Sequence, residues 1–208
     1  MPRDATETRE RLLREAERLF ARQGLYQTTV REITQAAGQR NVSALNYHFG
    51  SREGVLDAIL DLHGERTDAE RGELLATLGD EPSVRDLVAA LVIPYAAHLA
   101  TPDGRDYLRI VAQMTGYFAT WRVERAGTGP WLIAILARLE QQPDAVPPAV
   151  RAERVVAMIM LMTSAMAARA TAIEDRHELA LDEATFVANL TDMLAGVLAA
   201  PLHAAVAR

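Results

Sequence analysis

Apolar residues recur at helical spacing along nearly the whole chain, and no segment alternates apolar and polar positions as a half-buried strand does. Leu12, Leu13, Ala16, Leu19 and Phe20 fall on one face of a first helix over residues 6–23. Asp4 with Glu7 is placed to cap its start, and Gly24 suits the turn that ends it. Thr29-Val30-Arg31-Glu32 is a capping box that opens a second helix, with Val30, Ile33 and Ala37 inward and Gly38 at its close. Asn41 is a good N-cap for a short third helix ending near Phe49, with Leu45 and Phe49 facing inward. Ser51 caps a fourth.

From there the elements lengthen. A helix is predicted over residues 52–78, tolerating Gly64 and Gly72. Pro82-Ser83 opens another to about residue 100, and Pro94 predicts a kink in it. One or two helices follow between 103 and 121. Gly127-Thr128-Gly129-Pro130 breaks the chain before a helix over 131–142. Pro147-Pro148 precedes a long helix to about 176, and a last one spans 182–200 with Pro201 as a stop. The fold class is therefore all-α.

Half of the 208 residues are apolar, enough for a sizeable core. Cysteine is absent, which excludes disulfides and thiolate metal sites and fits a reducing compartment. The N-terminus is charged and has no apolar signal core. The longest uncharged stretches, 87–102 and 155–168, fall short of the roughly 18–20 apolar residues of a spanning helix. The expectation is a cytoplasmic protein with no membrane partner.

Net charge is −6, but it is unevenly spread. Residues 1–55 carry nine arginines against seven acids, a balance of +2, and residues 56–208 carry thirteen against twenty-one, a balance of −8. No glycine-rich phosphate loop or Gly-x-Ser-x-Gly elbow occurs. The histidines at 48, 63, 98, 177 and 203 form no metal-spaced pair. Asp57 and Asp61, one turn apart, read as an exposed helix face. No metal, cofactor or enzymatic activity is expected. Tyr95, His98 and Arg109 stand within apolar stretches, where a core or surface role competes with ligand binding.

Three short helices, the middle one closing at Ala36-Ala37-Gly38, form a helix-turn-helix pattern. In such a unit the second helix braces on the DNA backbone and the third reaches base edges in the major groove. The outward residues of the third are Ser43, Ala44, Asn46, Tyr47 and His48, small or hydrogen-bonding as such contacts require.

Residues 11–60 resemble the TetR family of bacterial repressors. The resemblance lies in Ala16-x-x-Leu19-Phe20-Ala21-x-x-Gly24 and Thr28-Thr29-Val30-Arg31-x-Ile33. It continues through Ala36-Ala37-Gly38, Leu45-x-Tyr47-His48-Phe49 and Ser51-Arg52-Glu53-x-Val55-Leu56. One departure is an extra residue between Gly38 and the third helix, which puts Arg40 where the family usually has an apolar residue. The resemblance implies a helix-turn-helix DNA-binding domain over 1–50 and a helical effector-binding and dimerisation domain over 51–208. It implies a homodimeric, ligand-responsive repressor on a near-palindromic operator, released when an effector moves the linker helix. An activator, an effector-independent DNA-binding protein of the same fold and, further off, a small helical enzyme are the alternatives.

By the same resemblance Tyr47, His48 and Arg52 position phosphates. Thr28 and Thr29 offer a hydroxyl and the second helix's amides to a phosphate, although Thr29 reads equally as a helix cap. Ser43, Ala44 and Asn46 face bases, and Arg40 and Asn41 reach either. Downstream, Met114, Tyr117, Phe118 and Trp121 form a helical series, Trp131 follows the glycine break, and Met158 and Met162 share a face. Adaptable methionines and aromatic walls suit a pocket for a largely apolar or aromatic small molecule, with an ordinary core as the competing reading. The family's last two helices usually pair with their copies. Here the penultimate helix offers Leu161, Ala165, Ala168 and Ala172, and the last offers Phe186, Leu190, Met193 and Val197, each set on one side of its helix.

Overall fold

The structure is a computed structural model that describes residues 2–120, 123, 125–142 and 146–202. Among the described residues every regular element is helical: α1 Pro2–Gln23, α2 Val30–Ala36, α3 Ser43–Phe49, α4 Arg52–Thr77, α5 Val84–Ala96, a 3-10 turn Ala97–Ala100, α6 Pro102–Ala112, α7 Thr115–Phe118, α8 Pro130–Glu140, α9 Pro148–Glu174 and α10 Glu183–Ala199.

Side-chain caps set most of these starts. Thr29 Oγ1 accepts from the Glu32 amide, and the Glu32 carboxylate accepts from the Thr29 amide at 2.8 Å, the reciprocal pair expected from the sequence. Ser51 receives Gly54 N–H, and Ser83 with Asp86 forms a second box. Asp182 receives Thr185 N–H. Pro94 lies inside α5 and withholds one N–H, and the chain tightens into the 3-10 turn three residues on. Two expectations shift. Helix α1 already begins at Pro2, so Asp4 lies within it rather than before it. Helix α3 begins at Ser43, and the Asn41 side chain acts from two residues back by accepting Ser43 N–H at 2.9 Å.

Leu12, Ala16, Phe20, Ile33, Leu45, Val55 and Ile59 seal the core shared by α1 to α4. Each buried leucine or phenylalanine there contributes about 1.5–3 kcal/mol. Helix α6 is central: it packs on α9 along one side and on α1 along the other. Helix α5 packs on α4, α8 and α10. The glycines of α4 are close-approach positions. A Cβ at Gly64 would stand 2.6 Å from Gly127 Cα, and one at Gly72 would meet the Trp131 ring at the same distance. The chain from 127 to 131 therefore lies directly against α4.

Helix α9, at 27 residues, is by length and composition able to cross a membrane, which the count of uncharged residues did not reveal. Its inner face is spent on the core through Val155, Met158, Ile159, Met162 and Met166. Of its proposed outer stripe, Leu161, Ala165 and Ala172 are half-buried and Ala168 is exposed. On α10, Phe186 and Val197 are half-buried and Met193 is exposed, but Leu190 is only 2% exposed. Leu190 packs within its own protomer, because α10 is covered by both α5 and α9 and its inner face runs through Leu190, Leu194 and Leu198. Met160, off the face that Met158 and Met162 share, is exposed beside the stripe.

Candidate nucleic-acid interface and ligand cavity

The turn between α2 and α3 opens on a glycine and a backbone hydrogen bond. Gly38 takes φ +71°, the left-handed conformation that suits glycine, and Gln39 N–H donates to the Thr34 carbonyl at 2.8 Å. The chain then runs outward through Arg40, Asn41 and Val42, all exposed, before α3 starts. Ser43, Asn46 and Tyr47 project from α3, Tyr47 at 81% exposure, and His48 is half-buried beside it with ring centroids 5.0 Å apart. Ala44 is half-buried and packs against the core, so its methyl is only partly available to a base.

One phosphate assignment, Thr28, needs correction, and a second residue, Arg52, has a structural role as well. Thr28 is buried and its hydroxyl donates to the Gly24 carbonyl at 2.9 Å, so it offers no free hydroxyl. Its role is to hold the turn that presents Thr29, which is exposed but also occupied by its cap. Arg52 Nε donates to the Thr28 carbonyl at 2.9 Å, and its guanidinium lies over the Phe20 ring at 5.1 Å. Arg52 is thus fixed by the fold at the junction of α1, α2 and α4. Tyr26, in the same turn, is 81% exposed and escaped the sequence reading.

The second feature is a cavity of about 470 Å³ enclosed by α4, α5, α6, α7, α8 and α9. Of the residues expected to wall a pocket, Met114, Tyr117, Phe118 and Met162 line it. Met158 does not, because it is fully buried in the core one turn away. Trp131 does not, because its ring lies over Gly72 and is 45% exposed, lining a separate surface cleft with Asp68 and Gly129. Trp121 lies outside the described residues.

At the polar end of this cavity the sequence reading raises Tyr95 but not Arg71 or Tyr107. Arg71, Tyr95 and Tyr107 line it, all buried. Burial raises Tyr95 well above the ordinary phenol range and, with little relief from Arg71, pushes Tyr107 up to about 12. Tyr107 stacks on His63, ring centroids 4.6 Å apart, and His63 Nε2 is 2.6 Å from a Glu17 carboxylate oxygen of α1. His98 Nε2 meets Thr67 Oγ1 at 2.7 Å. The Thr67 hydroxyl gives its one proton to the His63 carbonyl, so His98 is the donor. Burial, then the neighbouring His63, hold His98 down to about 4. His98 and Arg109 serve the core and not the cavity; Arg109 pairs with Asp106 at 2.9 Å and approaches Glu174.

The family described as bacterial regulatory proteins, tetR family, matches residues 12–59. No curated protein matches the chain. Among solved structures, the chain is similar to NalD, the secondary repressor of the MexAB-OprM multidrug efflux pump in Pseudomonas aeruginosa, at 18% identity, covering 92% of this chain and 95% of that one with a TM-score of 0.55. It is also similar to the fatty acid degradation regulator FadR from Bacillus halodurans, at 15% identity, with coverages of 91% and 95% and a TM-score of 0.52. A Rhodococcus sp. protein assigned to the TetR-family transcriptional regulators aligns at 18% identity over 93% of this chain and 99% of that one, with a TM-score of 0.50. Residues 12–59 thus match the tetR family of bacterial regulatory proteins, and the chain as a whole shares the fold of solved TetR-family structures.

Proposed function

We propose that this regulator is a cytoplasmic homodimeric repressor that sits on a near-palindromic operator and leaves it when a small molecule enters the cavity. The DNA-reading unit spans residues 1–50 and the sensing and pairing region spans 51–208. Ser43 and Asn46 face bases, joined by Arg40 and Asn41 from the lengthened turn. Tyr47, His48, Arg52 and Thr29 position phosphates. Dimerisation uses the outer faces of α9 and α10 around Ala165, Ala168, Met160 and Met193. The observation that carries the reading is the placement of the cavity against α4. That helix starts at Arg52, directly behind α3, and supplies Leu56, Leu60 and Arg71 to the cavity wall. A ligand that prefers one position of α4 shifts the spacing of two recognition helices.

The test is selection of bound fragments from genomic DNA, followed by footprinting. A protected two-fold site, weakening steeply with salt as arginines release counterions, is expected. Loss of transcription from a promoter carrying that site separates a repressor from an activator. Absence of any selected sequence would overturn the reading.

A further inference from the structure

Resting on the reading of the cavity as an effector site, we propose that its occupant is an amphipathic anion, with a carboxylate or similar acid group held at Arg71 and Tyr95 and an apolar body along Leu60, Phe118 and Met162. The cavity has a closed end and an open end. At the open end stand Glu53, Tyr117 and Arg125, all exposed. At the closed end stand Arg71, 4% exposed, and Tyr95, equally enclosed. Helix α4 rises about 27 Å between Glu53 and Arg71, so the cavity runs along this helix from an exposed mouth to a buried end.

The closed end is a built but unsatisfied site. Among the described residues the Arg71 guanidinium has no hydrogen-bond acceptor in reach of its Nε, which is buried without a partner. The ion pair it forms there, with Asp68, is a loose one at 3.9 Å. Asp68 is already committed elsewhere: its two carboxylate oxygens accept the Trp131 and Leu132 amides at 3.1 and 2.7 Å, capping α8. The Tyr95 hydroxyl is also buried with no partner. A guanidinium remains charged even where burial lowers its pKa, and a buried charge without a close counterion is costly. A planar acid fits the guanidinium fork and can accept from the phenol as well. A neutral apolar molecule would leave both groups as they are. The sequence reading of a largely apolar effector is therefore kept for the body of the ligand and amended at one end.

Matched probes decide it. Decanoate and decanol, and naphthoate with naphthylmethanol, are titrated into the full-length dimer by calorimetry and then tested for operator release. The acid of each pair is expected to bind at least about tenfold more tightly than its alcohol. Arg71→Met should remove that preference while leaving alcohol binding within about twofold, and Tyr95→Phe, which keeps the ring, should weaken the acids alone. Thermal unfolding of both variants shows that the fold persists, and Arg71→Lys should restore part of the acid preference. Equal binding of acid and alcohol, unaffected by these variants, would overturn the acid site and leave the cavity as an apolar effector site. Binding of none of the four probes, with operator binding intact, would overturn the effector site and this proposal with it.

Discussion

The Glu17 carboxylate and the His63 imidazole, 2.6 Å apart and both largely buried, join α1 to the middle of α4. The other face of the His63 ring arrangement is Tyr107, which lines the cavity. A displacement of Tyr107 therefore meets α1 through one ring and one carboxylate. Glu17→Ala and His63→Ala should each lower stability by about 1–3 kcal/mol, because each strands a buried polar partner. The double substitution should cost less than the two added together. Chemical denaturation of the four proteins measures this cycle, and simple additivity would remove the link.

The recognition surface separates into clean and entangled positions. Tyr47 is exposed and makes only a ring contact with its neighbour, so Tyr47→Ala should weaken binding to all operator variants without lowering the melting temperature. Arg52→Ala should weaken binding and also destabilise the fold, since it removes the bond to Thr28 and the contact with Phe20. Asn46→Ala should change preference at one position per half-site by about 1–3 kcal/mol. Uniform weakening across an operator panel would show that Asn46 reads no base.

The proposed pairing through α9 and α10 is best probed where side chains reach outward. Met193, 49% exposed, and Ala168, also exposed, are such positions. Met193→Glu or Ala168→Glu should yield folded monomers with poor operator binding, read by sedimentation and circular dichroism together. Leu190→Glu should instead unfold the protomer, because a charge would enter its core. Dimers persisting in both outer variants would place the interface elsewhere.

His98 gives the fold a pH dependence of defined sign. Its pKa is held near 4 in the native state, against 6.5 when free, first by burial and then by His63. Between those values the unfolded chain binds a proton that the native chain refuses, so stability falls as pH drops through that window, by up to about 3 kcal/mol. Asp106, whose carboxyl burial holds up, acts with the opposite sign, so the variant comparison is what decides. His98→Gln keeps a donor for Thr67 and should flatten the difference in denaturant stability between about pH 7 and about pH 4.5. An unchanged slope would show that His98 is not its source.

Much of this was readable from local chemistry. Thr29 with Glu32, and Ser51, announce their helices because a cap is satisfied within four residues of chain. The methionine and aromatic series predicted a cavity in the right neighbourhood, and Met114, Tyr117, Phe118 and Met162 line one. Arg71 was not legible. It lies among Asp68, Glu70 and Glu73 on a helix whose charged residues read as solvated, and only the arrival of α8 and α5 buries it. Thr28 and Leu190 were misassigned for the same reason: each has the residue type for an outward task, and a distant element covers it. Trp131 followed the glycine break as expected, but Gly72 draws its ring to the outside of α4.

Gln113, at the end of α6, donates to the Phe20 carbonyl at 3.1 Å and accepts the Leu25 amide at 2.8 Å. Those are backbone groups of the turn that closes α1; the Phe20 carbonyl also takes the Gly24 amide at 3.2 Å, whereas the Leu25 amide is met by Gln113, 88 positions downstream. The three-helix unit of α1 to α3, to which the proposal gives the DNA, is therefore contiguous in sequence but not self-sufficient. Severed after residue 50, it would lose the amide that splices its first turn and the α6 surface that covers α1. Portability is the casualty: grafted onto a foreign sensor, the three helices would keep their recognition residues and lose the frame that holds them at their spacing.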